Sequence, residues 1–317
     1  MSEQLGLSVV IVNWNTRGLL LDVLGRLARC RESSSRRMQV IVVDNASEDG
    51  SAAAVAEEFE DVLLLAQDRN LGFAGGVNLG FEAAQEELIV LLNTDVSFEP
   101  EALEALAHHV EQEPRLGVCG PRVSFADGSF QSSYWRFPSL WQLFCTSCYL
   151  YKLFPRTRLF DGERYGGQVF SEPHEVDAVS GCVFLLRRSL IDRIGGLDEG
   201  YFMYFEETDL CRRARAAGVS VGYFPGASFV HFGGVSARLA RRRNFLQFRR
   251  SRVRFFRKHH GVWAAACARV LNALFLLLRL PAWIIRSLLP GSWGKEARAR
   301  VSLYASGIVD AFASSCR

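Results

Sequence analysis

Short continuous apolar runs alternate with helix-spaced stretches through the first third of the chain. SVVIVN (8–13), MQVIVVD (38–44), VLLLA (62–66) and LIVLLN (88–93) read as four strands. Between the first two, Leu19, Leu20, Val23, Leu24 and Leu27 recur at helical spacing across 16–31. SEDGSAAAVAEEF opens a second helix behind a Ser/Asp cap, and GGVNLGFEAAQEE reads as a third. Strands this uniformly apolar, separated by helices, predict an α/β fold with a mostly parallel central sheet covered on both faces.

The pattern then changes. Residues 121–175 are rich in aromatics, Arg, Gly and Pro and have weak periodicity, as substrate loops often do. VDAVSGCVFLLRR (176–188) reads as another strand and TDLCRRARAAG (208–218) as a short helix; VSVGYF and ASFVHF read as short strands. A last apolar tract, 262–289, is interrupted by Arg269, Arg279, Pro281 and Arg286. Its longest charge-free piece, 270–278, falls short of the ~20 residues of a spanning helix. At helical spacing Arg269, Asn272, Arg279 and Arg286 fall within about 100° of one another, a polar stripe suited to a helix lying in a membrane interface.

Charge sharpens that division. Residues 236–260 hold ten Lys and Arg and no acid, so the rest of the chain carries 27 basic against 34 acidic residues behind a formal net charge of only +3. An acidic body with a basic block divides the chain into a main domain over 1–235 and a basic, apolar helical region over 236–317, the latter facing an anionic membrane surface rather than nucleic acid. The eight cysteines are scattered, with one CxxC at Cys145 and Cys148; they read as free thiols of a reducing cytosol rather than a zinc site. The N-terminus has no basic flank or small-residue cleavage site and reads as lacking a signal peptide.

An open parallel sheet binds ligands at the carboxyl ends of its strands. Those ends carry Trp14 and Asn15, Asp44 and Asn45, Asn70, then Asn93 and Asp95. An indole that stacks, a carboxylate that accepts a ring N–H and amides that meet hydroxyls would suit a base and a sugar. Neither GxGxxG nor GxxxxGK[ST] occurs, which argues against a nicotinamide oxidoreductase. The glycines cluster instead at NLGFAGGVNLG (70–80), with Gly76 and Asn78, where a backbone could close over a ligand. Acids gather at GYFMYFEETDLCRR, as Glu206, Glu207 and Asp209, and His231 stands in SFVHFGG. A desolvated carboxylate can act as a general base, and a His beside a carboxylate can hold a metal.

VVIVNWN, VVDNASEDGS, NLGFAGGVNLG, LLNTDV, VSGCVFLLRR, GLDEGYFMYFEETDLCRRAR and VHFGG follow one another in this order. The set, spanning about 8–260, resembles the family-two inverting glycosyltransferases of the GT-A fold, and within them the rhamnosyltransferase-like branch. The resemblance implies Trp14 as the base-stacking aromatic and Asp44 as acceptor of the ring N–H of uracil or thymine. Asn93-Thr94-Asp95 would replace the family's DxD, with Asp95 on Mg²⁺ or Mn²⁺ and His231 as a second ligand. Glu207 takes the place of the catalytic base, often Asp in relatives. The resemblance further implies a TDP-rhamnose or UDP-sugar donor, a lipid-linked or polysaccharide acceptor, and a cytoplasmic protein peripheral on the inner face of the membrane. A nucleotidyltransferase on a similar sheet, or a non-catalytic glycan-assembly subunit, is the alternative.

Overall fold

A computed structural model describes residues 4–233 and 241–313. The expected domain boundary at 235/236, Gly234 and the first five residues of the basic block lie outside the described residues. The chain divides into two compact units.

The first unit takes residues up to 137 together with 169–202 and 206 onward. Its elements begin β1 (Leu7–Asn13), α1 (Arg17–Ser33), β2 (Met38–Asp44), α2 (Ser51–Glu58), β3 (Val62–Ala66), α3 (Gly72–Ala83) and β4 (Leu88–Leu92), in the predicted order. They continue with β5 (Val96–Phe98), α4 (Pro100–Gln112), β6 (Leu116–Ser124), β7 (Phe130–Gln131) and β8 (Tyr134–Trp135). After the second unit's first segment come β9 (His174–Glu175), β10 (Ala178–Val179), β11 (Val183–Arg187), α7 (Arg188–Ile194), α8 (Glu206–Ala216) and β12 (Ser220–His231).

The main sheet runs β3-β2-β1-β4-β11-β6-β12-β5. The first four strands are mutually parallel. β11 is antiparallel to β4 and β6, and β12 lies parallel to β6 but antiparallel to β5. The sheet is therefore mixed with a parallel half. The two short strands expected at 219–232 form one, β12, irregular between Phe224 and Ser228.

The continuous apolar runs of β1, β2 and β4 follow from burial on both faces, whereas β3 at the sheet edge is only partly buried. Val9, Ile11, Val40, Val42 and Val90 share one core with Leu20, Val23 and Leu24 of α1 and Leu103 and Leu106 of α4. The opposite face of β1 meets α3, and glycines set how closely. A Cβ at Gly80 would come within 2.2 Å of Val10 Cγ1, and one at Gly76 within 2.9 Å of Val12 Cγ1. Both are closer than real carbon contacts allow, so the glycine cluster is in part a packing device. The helix α2 is capped differently from expectation: Gly50 is the N-cap residue, with φ +79°, and Asp49 accepts from the amides of Ser51 and Arg17 at 3.1 and 2.8 Å.

The second unit comprises residues 138–168, 203–205 and 240 onward. It contains α5 (Leu140–Ser147), α6 (Leu150–Leu153), α9 (Arg241–Leu277), α10 (Leu280–Ser287) and α11 (Gly291–Phe312). Gly261, with φ +86° and ψ 179°, breaks α9. The arginine stripe read from the tract does not line one outer face. Asn272 and Arg279 are buried. Arg279 donates to the carbonyls of Thr146, Ser147 and Phe275 at 2.9–3.0 Å and lies between the rings of Tyr149 and Phe275. Carbonyls near the C-terminal ends of α5 and α9 thus accept from both terminal nitrogens of the guanidinium. The apolar residues instead point outward: Trp263, Ile285, Leu288 and Trp293 are 84, 68, 82 and 74% exposed.

Candidate active site

The ends of β1 and β2 are tied by a buried hydrogen-bond network. Asp44 accepts from Asn13 Nδ2 at 2.7 Å with one carboxylate oxygen and from the Ser47 amide at 2.9 Å with the other. Ser47 Oγ accepts from Asn13 Nδ2 at 3.1 Å and from the Asn15 amide at 2.9 Å. Asn15 adopts φ +53°, a left-handed conformation that Asn tolerates, and its Oδ1 accepts from the Glu48 amide at 2.8 Å. This holds the turn bearing Trp14, which is partly exposed. Asn13 Oδ1 then accepts from Thr16 Oγ1 at 2.7 Å, and Thr16 Oγ1 lies 3.0 Å from Thr94 Oγ1. The end that carries Asp44 and the turn that carries Asp95 are thus joined through Asn13 and Thr16. Sequence reading overlooked Asn13, Thr16 and Ser47; their signal was a polar residue closing an apolar run, which is common wherever strands end.

On the α3 side, polar groups are used mainly to shape backbone. Asn45 donates to the Gly72 carbonyl at 2.8 Å and accepts from the Leu71 amide at 3.2 Å. Asn70 Oδ1 accepts from the Gly72 amide at 2.8 Å. Asn78 accepts from the Leu197 amide at 2.8 Å and donates to the Leu197 carbonyl at 2.9 Å and to Glu199 at 3.0 Å. Asn70 and Asn78 share a cleft of 470 Å³ with Arg69, Glu82, Glu199 and Phe202. Gly76 lies against Val12 and Asn45.

LLNTDV turns from β4 into β5, and β5 returns the chain along the end of β12, pairing Val96 with His231. That register brings together residues 136 positions apart: His231 Nε2 lies 3.1 Å from Asp95 Oδ1, with both side chains largely shielded. The other ring nitrogen, Nδ1, is within 3.0 and 3.1 Å of the two amide atoms of Gln131. The Asn93 amide donates to the Cys182 carbonyl at 2.9 Å, which anchors the turn to β11. Among the described residues no group of three His, Cys, Asp or Glu side chains could hold a metal. Asp95 and His231 form a two-donor set of carboxylate oxygen and imidazole nitrogen. Such a set fits a divalent cation whose shell is completed by substrate phosphate and water.

Glu207 stands over the adjoining loop. A Cβ at Gly181 would lie 3.7 Å from Glu207 Cγ, and Gly181 is the neighbour of Cys182. Glu206 is buried, and desolvation, reinforced by the charge of Glu207, holds its carboxyl well above the usual range. Asp209, fully buried, accepts from Arg213 Nε at 2.8 Å. The same guanidinium donates to the carbonyls of Ile194 and Gly196 at 2.8 and 2.6 Å, so Asp209 organises the turn after α7. Tyr204 and Phe205, just before α8, hold φ of +69° and +71°, outside the ordinary range for aromatic residues.

The sheet thus sets the Asp95–His231 pair where β5 meets the end of β12, and Glu207 of α8 lies by Gly181 of the neighbouring loop. The profile of Glycosyl transferase family 2 matches residues 8–195, and the chain belongs to that family. It is a glycosyltransferase whose sequence is rhamnosyltransferase-like. The N-acetylglucosaminyl-diphospho-decaprenol L-rhamnosyltransferase of Mycobacterium tuberculosis is 32% identical over 220 residues, covering 65% of this chain and 70% of that protein. Two solved structures share the GT-A fold. The mannosyltransferase PcManGT from Pyrobaculum calidifontis, in complex with GDP-Man and Mn²⁺, aligns with TM-score 0.54 at 16% identity, covering 98% of this chain and 86% of that one. GalNAc-T7 with UDP, GalNAc and Mn²⁺ aligns with TM-score 0.57 at 14% identity, covering 98% and 57%.

Proposed function

We propose that the protein transfers a sugar from a nucleotide-diphosphate donor to a lipid-linked or surface-glycan acceptor with inversion at the anomeric carbon. The observation that carries this reading is the meeting of Asp95 and His231, beside the loop on which Glu207 rests. Trp14 stacks on the base, and Asp44, held by Asn13 and Ser47, accepts its ring N–H. Asp95 and His231 would hold Mg²⁺ or Mn²⁺, and the imidazole favours Mn²⁺. When bound, the cation supplies Lewis-acid neutralisation of the diphosphate leaving group. Glu207 takes the proton of the acceptor hydroxyl as that oxygen attacks the anomeric carbon from the face opposite the diphosphate. Asp209 serves through Arg213 in shaping α8 and its surroundings rather than as the base.

The name of the mycobacterial relative supports rhamnose as the sugar and a polyprenyl-diphosphate sugar as the acceptor. TDP-rhamnose is therefore the first donor to test, with UDP-sugars as the comparison. Turnover of TDP-rhamnose with Mn²⁺ is expected, and its loss on chelation. Absence of binding and turnover across a panel of TDP- and UDP-sugars would remove this reading.

The outward apolar residues of α9 to α11 support a peripheral position on a membrane surface. Within Arg242–Ser287 an 18-residue window is also apolar enough, by length and composition alone, to cross a membrane, a reading that the interrupting arginines argue against. The full chain should bind anionic vesicles, and Ile285→Glu with Leu288→Glu should weaken that binding at least ten-fold. Unchanged binding by the double variant would remove this surface from contact with lipid. Extraction of the parent by carbonate separates a peripheral helix from a spanning one.

A further inference from the structure

The geometry assigns Gln131 as a positioning residue that fixes the ring of His231 with Nε2 turned toward Asp95. The inference rests on the reading of Asp95 and His231 as the cation-holding pair. Gln131 lies on β7, which pairs with β6 through Val123 and Gln131. β6 in turn pairs with β12 up to Ser124 and Val230. Three strands therefore place the Gln131 side chain beside His231 although 100 residues separate them. Amide nitrogen and amide oxygen lie 3.0 and 3.1 Å from Nδ1, and Nε2 lies 3.1 Å from Asp95 Oδ1. The ring is thus held at both ends.

The chemistry explains why an amide suits this place. Only one nitrogen of a neutral imidazole carries hydrogen, and the partner of the other nitrogen selects which. When Nε2 donates to Asp95, Nδ1 presents a lone pair, which the Gln131 NH₂ group can meet. When Nε2 must offer its own lone pair to a cation, Nδ1 carries the hydrogen, and the Gln131 oxygen accepts it. A half-turn of the amide exchanges these arrangements without moving the ring. A carboxylate at 131 could serve only the second, and an aliphatic residue neither. Partners of this kind orient ligating histidines and raise their basicity.

The test uses the full chain, Mn²⁺ and UDP or TDP as probes, and Mn²⁺ affinity read by electron paramagnetic resonance. Gln131→Ala should bind Mn²⁺ about 10–100-fold more weakly than the parent. Gln131→Glu, which retains an acceptor for Nδ1–H, should recover most of that loss. The imidazole ¹⁵N shifts, assigned by difference against His231→Ala, should show Nδ1–H in the Mg²⁺-loaded parent and a tautomer mixture in Gln131→Ala. Parent-like Mn²⁺ affinity in Gln131→Ala, with His231→Ala weakened, would overturn the positioning role and leave the cation pair standing. Equal Mn²⁺ affinity in the parent and His231→Ala would overturn the cation pair, and the assignment with it. If Gln131→Ala does not fold, Gln131→Leu against Gln131→Glu makes the same comparison, because the former lacks and the latter keeps an acceptor.

Discussion

Glu207→Gln is expected to lower kcat for sugar transfer by about 10²–10⁴, the usual contribution of a positioned general base. The substitution keeps the shape of the side chain but replaces the basic carboxylate with a neutral amide that cannot take the acceptor proton. Donor binding, measured by isothermal titration with the nucleoside diphosphate, should stay within a few-fold of the parent, because Glu207 rests against Gly181 and not among the groups tied to Asp44. Glu207→Asp is an informative partner. It restores a carboxylate but withdraws it by one methylene, so activity should fall between parent and Gln. Asp209→Asn should differ in kind: its Arg213 ion pair is fully buried on the acid side, so its main effect should be a lower melting temperature. If Glu207→Gln transfers sugar like the parent, Glu207 is not the base.

Asp95→Asn should abolish metal-dependent transfer, with a loss of three or more decades, on the order of the several kcal/mol that a Lewis acid supplies. The amide keeps the size but drops the charge of the cation-holding pair. Weakened Mn²⁺ binding in the presence of nucleoside diphosphate should accompany the loss, so the two readouts fall together. Asn93→Asp is the opposite experiment. It places a second acid where the family's DxD would have one, and should be tolerated or tighten Mn²⁺ binding. Normal transfer by Asp95→Asn would remove the cation role from LLNTDV altogether.

The strands and helices of the first third were legible because the runs of β1, β2 and β4 are buried on both faces, while β3, at the sheet edge, keeps an unbroken apolar run although Leu63 is exposed. Val9 and Ile11 face α1 and α4, while Val10 and Val12 face α3; the run could not be interrupted without exposing one face to a polar residue in the core. The C-terminal tract misled. Its arginines were read as one polar stripe, but α9 ends at Leu277 and α10 starts at Leu280, so helical phase is not carried through. Arg279 then turns inward to the carbonyls that close α5, because those carbonyls lack intrahelical donors. Periodicity cannot foresee a partner supplied from more than a hundred residues away.

The sequence by itself determined the α/β order, the family and the residue types at the strand ends, since local burial and motif order are written in consecutive positions. Only the tertiary structure decided which of those residues meet. β5 is three residues long and carries no pattern that marks it as a strand, yet its antiparallel pairing with β12 seats His231 against Asp95. The Asn13–Thr16–Thr94 chain and the approach of Gln131 to His231 depend likewise on strand order in the sheet. Hydrogen bonds of this kind form between side chains whose spacing along the chain is arbitrary, and only the register of the sheet makes them neighbours.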